Sequence, residues 1–233
     1  MHTLLDMPWK PGKVGPIVTF TRHGPLPLQW SSYCGFITAA TEDGHILVAG
    51  PRHLFLRGHI RGFTATHADT REELIFIDGP WFVGNYDLFF ALYYMPHGSQ
   101  QLATFSRNGF VHPDTQTSIT LCHSSLHGIQ YIHSKKVELQ PVWFMWDWES
   151  GSEPISGWTE NSTIASANDS HIVLSPVSCA EGCSGSPAWN TSGELIGSVA
   201  ATTRIGQQPT GHVILVPAHV ITGHTAELIE QLG

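Results

Sequence analysis

A chain of 233 residues is long enough to bury a core without covalent staples, and 23 glycines, 15 prolines and a charged fraction of 13% supply turns and apolar strands rather than long solvated helices. A formal net charge of −8 with only 11 lysines and arginines argues against nucleic acid or an anionic membrane surface as the main partner, because phosphate neutralisation needs clustered cations. Four cysteines, Cys34, Cys122, Cys179 and Cys183, are too sparse for a disulfide framework and read as thiols of a reducing compartment.

The N-terminus, MHTLLDMPWKPGKVGPIVTF, lacks a basic region followed by an apolar one, and no apolar run reaches the roughly 18 residues of a membrane span. No signal peptide and no membrane span are expected, and the expected location is intracellular. Asn161, Asn168 and Asn190 open glycosylation triplets, which matter only along a secretory route and leave that expectation unchanged.

Short apolar runs then recur between turn residues: GPIVTF, YCGFITAA, GHILVAG, ELIFI and DLFFALYY, and later SITLCHSS, GIQYIHS, PVWFMW, SHIVLSP, SPAWN, ELIGSVAATT and GHVILVP. Strands of four to eight residues with almost no helical periodicity before residue 217 indicate an all-β sandwich or barrel. A polar stretch over residues 96–116 separates two β-rich halves, assigned to 14–98 and 117–217 of a single domain spanning 1–233. After Pro217 the period changes: Ile221, Thr225, Leu228 and Leu232 share a helical face, so one helix is expected over 218–232, with Gly233 as its C-terminal cap.

Two side-chain clusters in the second half fit packing better than chemistry. Cys122, His123, His127 and His133 include zinc-ligand types, but the His123/His127 pair needs a helix where the sequence reads strand and turn, so no metal and no cofactor are expected. Trp143, Trp146, Trp148 and Trp158 alternate as core or inter-barrel aromatics do, although an exposed binding patch is the other use of such a group.

The segment CAEGCSGSPAWNTSGELIGSVA, residues 179–200, carries the chemistry. A serine hydroxyl needs a hydrogen-bonded base and donors aimed at the oxyanion that forms on its substrate. Glycines on both sides of Ser184 let consecutive N–H groups of Gly182, Cys183 and Ser184 converge beside its hydroxyl. Glycine and serine are also ordinary turn residues, so the turn alone leaves a simple hairpin open.

Residues 179–232 resemble the nucleophile segment of the chymotrypsin/trypsin-like serine proteases and are most like the HtrA (Deg) branch, in which a phrase like GELIGI precedes a segment ending GFAIP and a terminal helix; here GHVILVPAHVITGHTAELIEQL follows. The resemblance implies two six-stranded antiparallel β-barrels, a C-terminal helix packed on the second, and a serine endopeptidase acting on polypeptides through a triad in the order His, Asp, Ser. YCGFITAATEDGHILVAGPRHLF is similar to the family's first-barrel phrase and places the base at His53, two residues late, with AGPRH replacing the usual small-residue approach. His67 in FTATHADT is the rival, with His45 and His59 behind it. NYDLFFALYY resembles the aspartate phrase and places the orienting carboxylate at Asp87, with Asp78 in FIDGPW as the alternative.

By the same resemblance, Gly182, Cys183 and Ser184 form the oxyanion hole, and Ser178, Ala200, Ala201, Thr202 and His212 line the pocket for the residue before the cut. No carboxylate lies among them, which argues against cleavage after Lys or Arg. His212 could hydrogen-bond a Gln or Glu side chain, as a pocket histidine does in the 3C-like viral relatives, or simply pack within its strand. Cys183 stands where trypsin has the aspartate that binds a new N-terminus, so activation through that ion pair is not expected, and a structural thiol suits the position before the nucleophile better than a second nucleophile. HtrA relatives usually carry a PDZ domain after the terminal helix, which leaves room for an attached domain or a regulatory protein partner. The departure at AGPRH also keeps open a latent fold that serves as an interaction module.

Overall fold

The computed structural model describes residues 2–3, 17–23, 30–57, 59–67, 70–96, 118–123, 132–135, 138–141, 158–175, 184–190, 195–205 and 208–233. All of the polar stretch 96–116 except Pro96, the tryptophans at 143, 146 and 148, and Ser178, Gly182, Cys183 and His127 lie outside them.

The first half is built from β1 (His2–Thr3), β2 (Ile17–His23), β3 (Trp30–Ala40), β4 (His45–Gly50), β5 (Thr64–His67), β6 (Glu73–Phe82) and β7 (Phe89–Tyr94). They follow the order β1-β3-β2-β5-β6-β7-β4, and a further β3–β4 pairing brings the last strand back onto β3. That pairing turns six of the strands into a ring, with β1 added outside β3.

The second half holds a closed antiparallel barrel of six strands: β11 (Trp158–Ala167), β12 (Ile172–Ser175), β15 (Gln208–Pro217), β14 (Leu195–Ile205), β13 (Pro187–Asn190) and β8 (Ser118–His123). A short ribbon, β9 (Ile132–Lys135) with β10 (Glu138–Pro141), stands apart from it. Cys122 and His123 are strand residues of β8, paired with Thr159 and Trp158, and His133 lies in the ribbon.

Period-two alternation explains why the strands are apolar on both faces. In β4, Ile46 and Val48 join the interior of the first barrel with Val18, Phe20, Phe89, Ala91 and Tyr93, while Leu47 and Ala49 point to a different core. That other core collects Ile17, Phe36, Leu88 and Phe90 from the first barrel, Leu195 and Val216 from the second, and Ala218, Val220, Ile221 and Leu228 from the helix α1 (Ala218–Leu232). Ile164, Ile172, Leu174, Ile196, Val213 and Leu215 fill the second barrel.

The helix packs on the second barrel as expected, touching β14 and β15, and it also touches β1 and β3 of the first. Its buried face is the one the spacing predicts through Ile221, Thr225 and Leu228, whereas Leu232 is left exposed at the end. Because Ile221 is fully buried in the core shared by both barrels, Ile221→Ala is expected to destabilise the chain by about 2–5 kcal/mol. Urea unfolding followed by tryptophan fluorescence checks this. A loss confined to one half of the transition would show that the helix does not couple the barrels.

Candidate active site

Pro51 ends the apolar run of β4 and starts a 3₁₀ turn over Arg52–Arg57, with the Leu54 N–H donating to the Pro51 carbonyl at 3.1 Å. The sequence AGPRH is therefore a buried proline feeding a tight turn, and the turn presents His53 partly exposed at the barrel rim. Asp87 lies across from it, in the loop between β6 and β7. One carboxylate oxygen of Asp87 accepts the His53 backbone N–H at 2.7 Å, and the other pairs with His53 Nδ1 at 2.5 Å. Two bonds from one carboxylate fix both the backbone and the ring of the histidine. The arrangement leaves Nε2, the opposite ring nitrogen, for another partner.

Arg52 was not singled out by sequence reasoning. Its Nη1 donates to the Gly84 carbonyl at 2.9 Å, and its guanidinium lies over the Phe82 ring at 5.0 Å. It thus ties the His53 turn to the loop that carries Asp87. The only sequence signal was its place next to the histidine, within the very segment that looked irregular.

The alternatives fall elsewhere. His67 is fully buried in β5, where its Nδ1 accepts the Thr70 N–H at 3.3 Å and meets the Thr70 hydroxyl at 3.0 Å. These contacts tie it to the β5–β6 turn. His45 pairs with the exposed Asp43 at 3.2 Å, and that carboxyl is held below its usual range by hydrogen bonds from Thr41 and then His45. His59 is exposed, and Asp78 is an exposed residue accepting the Gly79 N–H.

Ser184 meets the first barrel through its backbone. The Cys34 N–H of β3 donates to the Ser184 carbonyl at 2.9 Å, the Gly185 N–H donates to the Val199 carbonyl at 2.7 Å, and the Val199 N–H donates to the Ser186 carbonyl at 2.9 Å. Gly185 has φ +86°, a left-handed conformation, and a Cβ there would lie 2.0 Å from the Cys34 carbonyl oxygen and 2.6 Å from Pro51 Cδ. Only glycine lets the turn after Ser184 come this close to the strand and to the proline two residues before His53. The serine turn, the His53 turn and the Asp87 loop therefore share one rim between the barrels. Among the described residues, His53 is hydrogen-bonded to Asp87 and not to the Ser184 hydroxyl.

Two comparisons by sequence return nothing: no protein-family model matches the chain, and no curated protein matches it. Its shape does match a solved structure, the serine endoprotease from Yersinia pestis, with a TM-score of 0.56, 15% identity and 94% of this chain covered. The fold is trypsin-like. This chain spans 64% of the length of that endoprotease, and at such identity the likeness speaks to the two-barrel architecture. No helix among the described residues is long and apolar enough to cross a membrane.

In this trypsin-like frame Ala200, Ala201, Thr202 and His212 share a strand pair, while Ser178 lies outside the described residues. Val199 pairs with Leu215 and Ala201 with Ile214, so Ala200 is the extra residue of a β-bulge one step from the Val199 contact with the serine turn. Thr202 and His212 are partly buried on the adjoining strands, Ala201 is exposed, and the Thr203 hydroxyl donates to the His212 carbonyl at 3.3 Å. His212 Nδ1 is buried and has no hydrogen-bond partner among the described residues. A buried imidazole nitrogen left unpaired is costly unless something binds it.

Proposed function

We propose that the chain is a serine endopeptidase of the HtrA-like kind, with Ser184 as nucleophile, His53 as general base and Asp87 as the group that orients and stabilises the imidazolium. The observation that carries this reading is the double hold of Asp87 on His53, set on the same rim as the glycine-flanked Ser184 turn. His53 Nε2 takes the proton of Ser184 as Oγ bonds to the substrate carbonyl carbon, and the backbone N–H groups of Gly182, Cys183 and Ser184 receive the oxyanion. His53 then returns the proton to the leaving amine as the C–N bond breaks, and water hydrolyses the acyl-enzyme by the same route in reverse. Apo hydrogen bonds of this type commonly tighten only with substrate bound, which accommodates the missing Ser184–His53 bond.

In this reading Ser178, Ala200, Ala201, Thr202 and His212 form the pocket for the residue before the cut. The unpaired His212 Nδ1 supports recognition of a Gln or Glu side chain, and the absence of a carboxylate among these residues disfavours Lys and Arg. Digestion of a mixed peptide library, with the products read by mass spectrometry, tests the assignment. Cuts after Gln or Glu, redistributed in His212→Val, are expected; cuts after Lys or Arg would refute the pocket, and no cuts by folded protein would refute the peptidase. A second reading, motivated by the departure at AGPRH, is a fold whose site is completed by a protein partner or attached domain, or which serves as an interaction module.

A further inference from the structure

The residues Tyr33 and Cys34 of β3 bear on both halves of the candidate site at once. The Cys34 N–H fixes the Ser184 carbonyl, while the Tyr33 ring meets the His53 ring at 5.5 Å between centroids and 70° between planes. Tyr33 is itself backed by Phe63, edge to face at 6.0 Å, and the Arg22 guanidinium lies over Phe63 at 5.9 Å. The four groups form a chain of contacts, Arg22, Phe63, Tyr33, His53, that ends at the imidazole.

Asp87 holds one ring nitrogen of His53, which still allows the ring plane to rock about that contact. An edge-on aromatic neighbour resists such rocking because the attraction depends on the angle between the rings. We propose that Tyr33 is a positioning residue: its ring sets the plane of the His53 imidazole so that Nε2 faces the Ser184 hydroxyl during proton transfer. The inference rests on the reading of His53 as base. It adds that the strand which registers Ser184 also registers His53, so the two are aligned by neighbouring residues of β3. A misaligned base slows the chemical step and leaves substrate binding alone.

The test uses the full chain with Tyr33→Ala, Tyr33→Leu and Tyr33→Phe, Tyr33→Leu keeping apolar volume in case Tyr33→Ala does not fold. Tyr33→Ala and Tyr33→Leu are expected to lower kcat roughly 3–10-fold with KM unchanged, and Tyr33→Phe to recover most of the loss because the ring is retained. The low-field proton resonance of His53 Nδ1–H is expected to weaken in the two ringless variants and to persist in Tyr33→Phe. Equal kcat in parent and Tyr33→Leu would overturn the proposal while leaving the peptidase standing. An equal loss in Tyr33→Phe and Tyr33→Leu would overturn it too, by assigning the effect to the hydroxyl. If the parent cleaves no peptide, the resonance alone decides in the resting protein: loss in Tyr33→Leu sustains the hold of Tyr33 on His53, and persistence refutes it.

Discussion

Ser184→Ala and His53→Ala are each expected to lower peptide hydrolysis by a factor on the order of 10⁴ or more, with the double variant little worse than either single one. The reason is that the two groups act as a unit: without the base the hydroxyl keeps its proton, and without the hydroxyl the base has nothing to activate. Asp87→Asn is expected to cost about 10⁴-fold in kcat while leaving the fold intact, since the amide can still occupy the space beside His53 but favours the wrong tautomer at Nδ1. His67→Ala is the contrasting case. Its ring is fully buried, so its removal opens a cavity and gives up the bonds to Thr70, costing about 1–3 kcal/mol of stability, while the turnover of the molecules that remain folded stays within a few-fold of the parent. Thermal unfolding measured beside kcat for the four single variants and the double one separates the two kinds of loss.

Among the described glycines, Gly185→Ala is expected to be the most damaging added methyl. The φ of +86° costs any L-residue roughly 1–2 kcal/mol, and a Cβ placed 2.0 Å from the Cys34 carbonyl oxygen forces the turn off β3, adding about 1–3 kcal/mol of strain. Relief of that clash means losing the Cys34–Ser184 hydrogen bond, so hydrolysis falls even at temperatures where the protein remains folded. Gly211→Ala supplies the comparison: φ is +75° there, but nothing lies within 4 Å of the added Cβ, and only the conformational cost of roughly 1–2 kcal/mol is expected. Urea midpoints for both variants, set against their peptidase rates, give the measurement. Equal effects at the two glycines would mean that the close approach to Cys34 is unimportant.

The all-β architecture and the terminal helix were legible because each depends on local periodicity. Alternation in HILVAG and DLFFALYY sends every second side chain to the first-barrel interior, and the change of period after Pro217 marks the helix face through Ile221 and Leu228. What periodicity could not show is which core the other strand face serves. Leu47, Phe90, Leu195 and Val216 meet only because two barrels and a helix converge, so the helix was assigned to the second barrel and its contact with the first was not foreseen.

At the site, the glycines around Ser184 announced a turn, and the positive φ at Gly185 accords with that. The choice among histidines was harder, because the local signals conflict: His53 follows the first-barrel phrase but sits in the irregular AGPRH segment, whereas His67 sits in a more familiar segment that no such phrase precedes. In the structure they differ in their partners: His53 is held by Asp87, 34 residues on, and a buried His67 by Thr70, three residues on. Arg52 and Tyr33 were missed because their contacts, to Gly84 and to His53, join segments that no spacing relates.

The most direct test of the central claim is covalent labelling of the folded chain with a fluorophosphonate probe, with the modified residue located by peptide mass spectrometry. An activated serine on this rim predicts a single adduct on Ser184 that disappears in Ser184→Ala and in His53→Ala and survives in His67→Ala. No adduct on folded protein, or an adduct that survives His53→Ala, would contradict the account.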